Sequence, residues 1–284
     1  MPMKHPLREE TTLIDSDVRQ DDEKFDKLYQ HLTFTPATHV TALQTATKFG
    51  FTLAETLITL GIIGVVAALT IPSLINKYQD KVVTTALKRN YSILSQAVLS
   101  AVDEYGTPDN WMQSDENKSS YSQSSAKNVA NILSMFIKNV DKCTDSECIS
   151  KFTNGHKIYN IKRNSRATMF QDKYAYLTLT DGTIYEISSL GQCNSYWELR
   201  NVCASVRVDV NGLSKPNALG WDVFTFFLTS EGRFVPSEYN SDYCNSSSDS
   251  YVNGQRCTKW VLTYGNREYL RCDGLTMNGK IRCK

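Results

Sequence analysis

The sequence predicts an α+β protein: a long N-terminal helix, then an antiparallel β-sheet head against which the helix packs. Three observations carry this. Thr56 to Asn76 are 21 consecutive residues without a charge. Beyond them, apolar residues recur at helical spacing as far as Tyr105. From Lys157 onward, β-branched and aromatic runs alternate with turn dipeptides, and all eight cysteines lie between Cys143 and Cys283. Composition sets outer limits. The 284 residues are 41% hydrophobic and 21% charged, with 31 basic against 30 acidic side chains. Those values are globular and argue against wholesale disorder, a multi-span membrane protein, or attraction to nucleic acid by bulk charge.

Residues 1–50 are polar, with six basic and eight acidic side chains and no apolar period. They read as a weakly structured extension with a short helix near Lys24–Leu32. From Phe51 the run FTLAETLITLGIIGVVAALTIPSLIN is long enough, at ~39 Å if helical, to cross a bilayer core of ~30 Å. Pro72 should kink this helix rather than end it, because the period resumes beyond it. Val83, Leu87, Leu94, Val98 and Val102 then share a face that Ala86, Ala97 and Ala101 broaden. A helix from Leu53 to Tyr105 follows, stopped by Gly106-Thr107-Pro108. Residues 109–150 are polar and Ser-rich, with one helix expected at Ala126–Val140. Strands are expected at Ala175–Thr180, Thr183–Ser188, Val206–Val210, Val223–Leu228 and Lys259–Tyr264. Asp181-Gly182, Asn211-Gly212, Glu231-Gly232 and Asn253-Gly254 supply turns.

At the junction of the first two blocks stands Lys48-Phe49-Gly50-Phe51-Thr52-Leu53-Ala54-Glu55. A basic residue precedes a glycine, an aromatic follows it, and a glutamate lies five residues past the glycine. This resembles the prepilin processing site of type IV pilins and of type II secretion pseudopilins. Gly61, Gly64 and Pro72 within the apolar run extend the resemblance, which covers about residues 48–105.

The resemblance implies a pilin-like fold and the fate of each segment. Residues 1–50 would be a leader removed by prepilin peptidase, which cuts between Gly50 and Phe51 and N-methylates Phe51. Residues 51–76 would be the transmembrane and assembly half of the helix, 77–105 its amphipathic half, and 106–284 a disulfide-rich head. The mature chain would have 284 − 50 = 234 residues and a net charge of +3, from 25 basic and 22 acidic side chains. Glu55 and Pro72 would serve assembly, Glu55 by pairing with the amino terminus of Phe51 on a neighbouring subunit. Implied partners are like and related pilin subunits, prepilin peptidase and an inner-membrane assembly platform. The chemistry agrees. Glycine offers an unhindered cut site, and an isolated carboxylate at bilayer depth costs ~2.5 kcal/mol or more, so Glu55 needs a partner there unless it sits at headgroup level. A secretory signal peptide would be cut after its apolar core, whereas this cut precedes it.

Two signals compete over which side the head occupies. Lys77, Lys81, Lys88 and Arg89 follow the span closely and would hold the C-terminal part in the cytoplasm. Cys143, Cys148, Cys193, Cys203, Cys244, Cys257, Cys272 and Cys283 point the other way. They are even in number, contain no C-x-x-C, and share the mature chain with one histidine, His156. Disulfides fit better than zinc. They place the head outside the cytoplasm, on a protein held in the inner membrane by one span with its head in the periplasm or in an extracellular filament. Eight cysteines allow 105 pairings, and nearest-neighbour pairing is the simplest expectation.

Asp209, Asn211 and Asp222 gather oxygen ligands in a turn-rich stretch and could converge on a hard cation such as Ca²⁺. The alternative is a loop joining two strands, with Asp209 and Asn211 bonding local backbone groups. The stretch beyond Cys244 is basic and aromatic. That composition suits either stacking on nucleic-acid bases or a solvated strand face tied down by disulfides, and nucleic acid is not the expected partner. No nucleophile elbow, P-loop or dinucleotide fingerprint occurs. His156 is expected at the surface and Asp181 and Glu186 solvated beside a turn, so no enzyme activity is expected. Besides a pilus or pseudopilus subunit, the sequence leaves open a single-span extracytoplasmic binding or adhesion protein and a DNA-uptake minor pilin.

Overall fold

A computed structural model describes residues 52–113, 121–138, 140–167, 173–196 and 198–283. The leader, its expected short helix, Gly50 and Phe51 lie outside the described residues. By contact density the chain divides into residues 1–59 and 60–284.

Helix α1 spans Leu53–Tyr105 and continues through Pro72. Gly106, in the left-handed region, closes it with its N–H on Val102 O, the conformation a glycine cap favours. In the amphipathic half, Leu87, Leu94, Ala97, Val98 and Ala101 are buried, as their spacing requires. Asp80, Thr84 and Asn90 are buried on the same stripe.

The head is a six-stranded antiparallel meander, β1 to β6 in sheet order. Its strands are β1 Val140–Cys143, β2 Ala175–Leu179, β3 Ile184–Tyr196, β4 Leu199–Asp209, β5 Val223–Thr229 and β6 Phe234–Pro236. Period-two alternation divides its two faces. Leu177, Tyr185, Ile187, Val206, Val208, Phe224 and Phe226 join the core that contains the buried face of α1 and helix α2, Gln123–Phe136. Tyr91 of α1 stacks on Phe226 at 5.5 Å, and Asn90 accepts the Tyr185 hydroxyl at 2.6 Å. The opposite face carries Tyr176, Ile184, Glu186 and Arg207. There Phe152 of helix α3, Ser146–Gly155, stacks on Tyr176 at 4.9 Å, and Arg207 donates to Glu186 at 2.8 Å.

Four expectations change. The helix expected to reach Val140 ends at Phe136. Ile137 is already extended, and Val140 opens β1 opposite Leu179. Lys259–Tyr264 is not a strand but part of helix α4, Thr258–Tyr264. Trp260 and Val261 are buried and Tyr264 is packed against the core, a helical i, i+1, i+4 spacing, and Gly265 caps the end in the left-handed conformation. Glu186 is buried against Arg207 rather than solvated, whereas Asp181 stays exposed beside its turn, accepting from Arg89 and from the Thr183 N–H. Finally, β3 and β4 extend beyond their expected limits through a ladder with register shifts between Ser189 and Tyr196.

Candidate functional site

The N-terminus of α1 is built from two side chains. The Thr52 hydroxyl accepts from the Glu55 N–H at 3.2 Å. A Glu55 carboxylate oxygen accepts from the Thr52 N–H and hydroxyl, each at 2.8 Å. This reciprocal pair satisfies backbone donors that an opening helix leaves free. The T-x-x-E spacing before an apolar run is its sequence signature. Its own helix holds Glu55 at the end where the helix dipole favours negative charge.

Beyond it, the apolar run is bare. Leu57, Ile58, Leu60, Ile62, Ile63, Val65, Leu69 and Leu74 are all exposed. The helix is long and apolar enough to cross a membrane, and none of its most apolar stretch is buried inside the protein. A core helix of a soluble domain would be covered by its own chain. Exposed apolar surface of this extent is of the kind that marks a membrane or protein contact.

The amphipathic half is fixed to the head by an ion cluster that sequence reading missed. Asp80 accepts from Arg267 Nε at 2.8 Å and from Arg271 Nη2 at 2.9 Å. Arg267 also donates to Trp221 O at 2.7 Å, and Arg271 to Glu268 at 2.9 Å. Asp80 and Arg267 are both buried. The signal was positional: Asp80 falls on the stripe of Thr84 and Leu87, where a lone carboxylate predicts a buried cation opposite.

The basic C-terminal stretch is largely spent in this way. Arg256 pairs with Glu198, and Lys259 with Glu238. Trp260 and Tyr269 are buried, and the Tyr264 hydroxyl donates to Met277 O. These aromatics serve the core rather than offer faces for stacking.

The cysteines pair as nearest neighbours: Cys143–Cys148, Cys193–Cys203, Cys244–Cys257 and Cys272–Cys283. Each closes a loop of 5 to 13 residues.

Asp209, Asn211 and Asp222 lie close together at the β4–β5 connection, with the two aspartate carboxylates already engaged. Asp209 holds the His156 ring at 2.8 Å and the Asn211 N–H at 3.2 Å. Asp222 accepts from the N–H groups of Asn217 at 2.9 Å and Ala218 at 2.7 Å. A cation would have to displace those donors, so the donor set does not fit calcium. Among the described residues no group of three or more His, Cys, Asp and Glu side chains is placed to hold a metal.

His156 is buried rather than at the surface, and its Nδ1 lacks a partner among the described residues. Burial pushes the Asp209 carboxyl up to about 7, against the pull of the His156 hydrogen bond. Burial opposes a charge on His156, but the bond to Asp209 and the nearby Glu186 and Asp222 carboxylates outweigh it and raise its pKa. Burial likewise raises Asp222.

Comparison with curated proteins and with solved structures gives no match. A family match spans residues 73–246, more than half of the chain. It takes in the amphipathic half of α1 and all six strands and begins after Pro72, so the motif around Gly50 and the apolar run lie outside it. The chain is a member of the family of unknown function DUF6613.

Proposed function

We propose that the chain is a structural, non-enzymatic subunit of a type IV pilus or type II secretion pseudopilus, freed of its leader at Gly50 and assembled through α1. The observation that carries this reading is an apolar helix that its own protein leaves uncovered, introduced by Gly50-Phe51-Thr52-Leu53-Ala54-Glu55. Before assembly the apolar half rests in the inner membrane with the head in the periplasm. On assembly it passes from lipid to a packing of like helices, two environments of similar polarity, so the transfer need not expose it to water. A head-to-tail contact that does not close on itself builds a helical filament.

Glu55 sets the register. Thr52 holds its carboxylate at the start of the helix, leaving acceptor capacity for the ammonium group of a neighbouring Phe51. In host cells, Glu55→Val should be inserted and cleaved normally but fail to enter sheared or purified filaments alongside the parent chain. Entry equal to the parent's would end the register role. Absence of the parent itself from any filament would favour a single-span binding or adhesion protein. The paired cations beyond Cys244 weigh against a DNA-uptake subunit.

A further inference from the structure

Within residues 60–284, a cleft of about 440 Å³ opens between the start of the amphipathic half of α1 and the β4–β5 connection. Tyr78 and Val82 form the helix wall, and Arg163, Lys215 and Trp221 the head wall. We propose that this cleft holds the phosphate headgroup of an anionic phospholipid from the membrane that α1 crosses, an inference that rests on the membrane reading of the preceding subsection.

Four observations converge. The first is level. The uncharged run ends at Asn76 after 21 residues, a length of ~31 Å that matches the ~30 Å hydrocarbon core, with a headgroup layer of about 5–8 Å on each side. Tyr78 to Val82 lie ~3–9 Å past Asn76 at 1.5 Å per residue, which puts the mouth of the cleft at headgroup depth.

The second is charge. Nearby cations are committed, Lys162 to Asp249 and Arg267 to Asp80. Arg163 and Lys215 are exposed and have no carboxylate partner among the described residues. Arg163 lies over the Trp221 ring, 4.9 Å from its centroid, with its guanidinium donors available to a phosphate. Asp222 is also in the wall, but its oxygens accept the N–H groups of Asn217 and Ala218, and burial raises its pKa.

The third is the aromatic pair. The Trp221 indole N–H donates to Ile161 O at 2.7 Å, which fixes the ring. Tyr78 is exposed beside it. Tyrosine and tryptophan are enriched at headgroup level. The fourth is the apolar floor of Val83, Ala86 and Val210, which suits a glycerol backbone and the start of its acyl chains better than a free anion. The volume lies within the ~300–1,000 Å³ range of small-molecule sites.

The test uses the full chain in neutral detergent, titrated with dihexanoyl phosphatidylglycerol, dihexanoyl phosphatidylcholine and glycerol phosphate. Tryptophan fluorescence is read against a Trp221→Phe chain. The expected result is a saturable response to phosphatidylglycerol alone. Arg163→Gln or Lys215→Gln should weaken it about fivefold each, and the double variant about thirtyfold, the scale of a basic residue at an anionic membrane surface. Lys88→Gln, outside the cleft, should leave it unchanged. Lys215→Arg, which keeps the charge, should bind like the parent and so separates loss of charge from loss of fold. Equal responses to the two phospholipids would overturn the proposal, as would a response that survives the double variant. Displacement of phosphatidylglycerol by an equal concentration of glycerol phosphate would also overturn it and assign the cleft to a free phosphate ester. Binding in detergent does not require insertion, so failure here is distinct from failure of the membrane reading, which alkaline extraction of host membranes tests by itself.

Discussion

Asp80 is the residue on which docking of the amphipathic half turns. Its carboxylate neutralises Arg267, which is buried with it. Asp80→Ala would strand that guanidinium and should cost about 3–5 kcal/mol, the usual penalty for breaking a buried pair from one side. Denaturant unfolding of the full chain in detergent measures it, and a loss below about 1 kcal/mol, the scale of a surface pair, would show that the pair is solvated. At the other face, His156 and Asp209 share a proton. The unfolded chain loses these protons near the ordinary values of 3.8 and 6.5, whereas the folded pair retains one through about 7. The folded state therefore carries more bound protons between the ordinary carboxyl value and about pH 7, and stability falls as pH rises through that interval. Thermal midpoints should drop as pH rises from about 4 through about 7, and both Asp209→Asn and His156→Gln should flatten the slope. A midpoint that rises over this interval would contradict the shared proton. Little of this was legible beforehand. Glu55 was visible because it is the one ionisable side chain in an apolar run. Asp80 and His156 acquire their roles from partners 187 and 53 residues away, distances that no local pattern spans.

At the scale of elements, α1 was readable to its last residue because its burial repeats at 3.6 residues and Gly106 marks its end. Leu94→Ala should therefore cost about 2–5 kcal/mol, while Leu99→Ala, on the exposed side of the same helix, should stay within about 0.5 kcal/mol. Equal costs in chemical denaturation would mean that the helix docks on a different face. The β2–β3 turn was also readable, from Asp181-Gly182. Gly212 packs against that turn: a Cβ there would stand 2.1 Å from Gly182 O, and φ is +64°. Gly212→Ala should thus destabilise the head by more than the ~1 kcal/mol of a left-handed residue alone, because the obstacle is backbone and cannot swing aside. Helix α4 was misread because Trp260, Val261 and Tyr264 are as common in strands as in helices, and a seven-residue run is too short for its period to decide. The short strands β1 and β6 were missed for the related reason that pairing with β2 and β5, not their own composition, makes them strands.

For the whole molecule the decisive contrast lies between a covered head and an uncovered helix. Nearest-neighbour disulfides hold the head without crossing between distant segments, and bonds of this kind persist in oxidising compartments. The basic residues after the span predict the opposite orientation. Of those basic residues Arg89 is paired with Asp181 of the head, and the proposed placement of the head follows the disulfides rather than the charge bias. The family match adds a domain that begins at residue 73, so the apolar run and the Gly50 motif bear the functional reading by themselves. The central claim is that the run is retained while the leader is lost. Its most direct test is the intact mass and N-terminal sequence of the protein isolated from host cells with an active prepilin peptidase. The expected product is a 234-residue chain, 284 − 50, beginning at Phe51 and carrying one added methyl group. A chain that still begins at Met1 would contradict it.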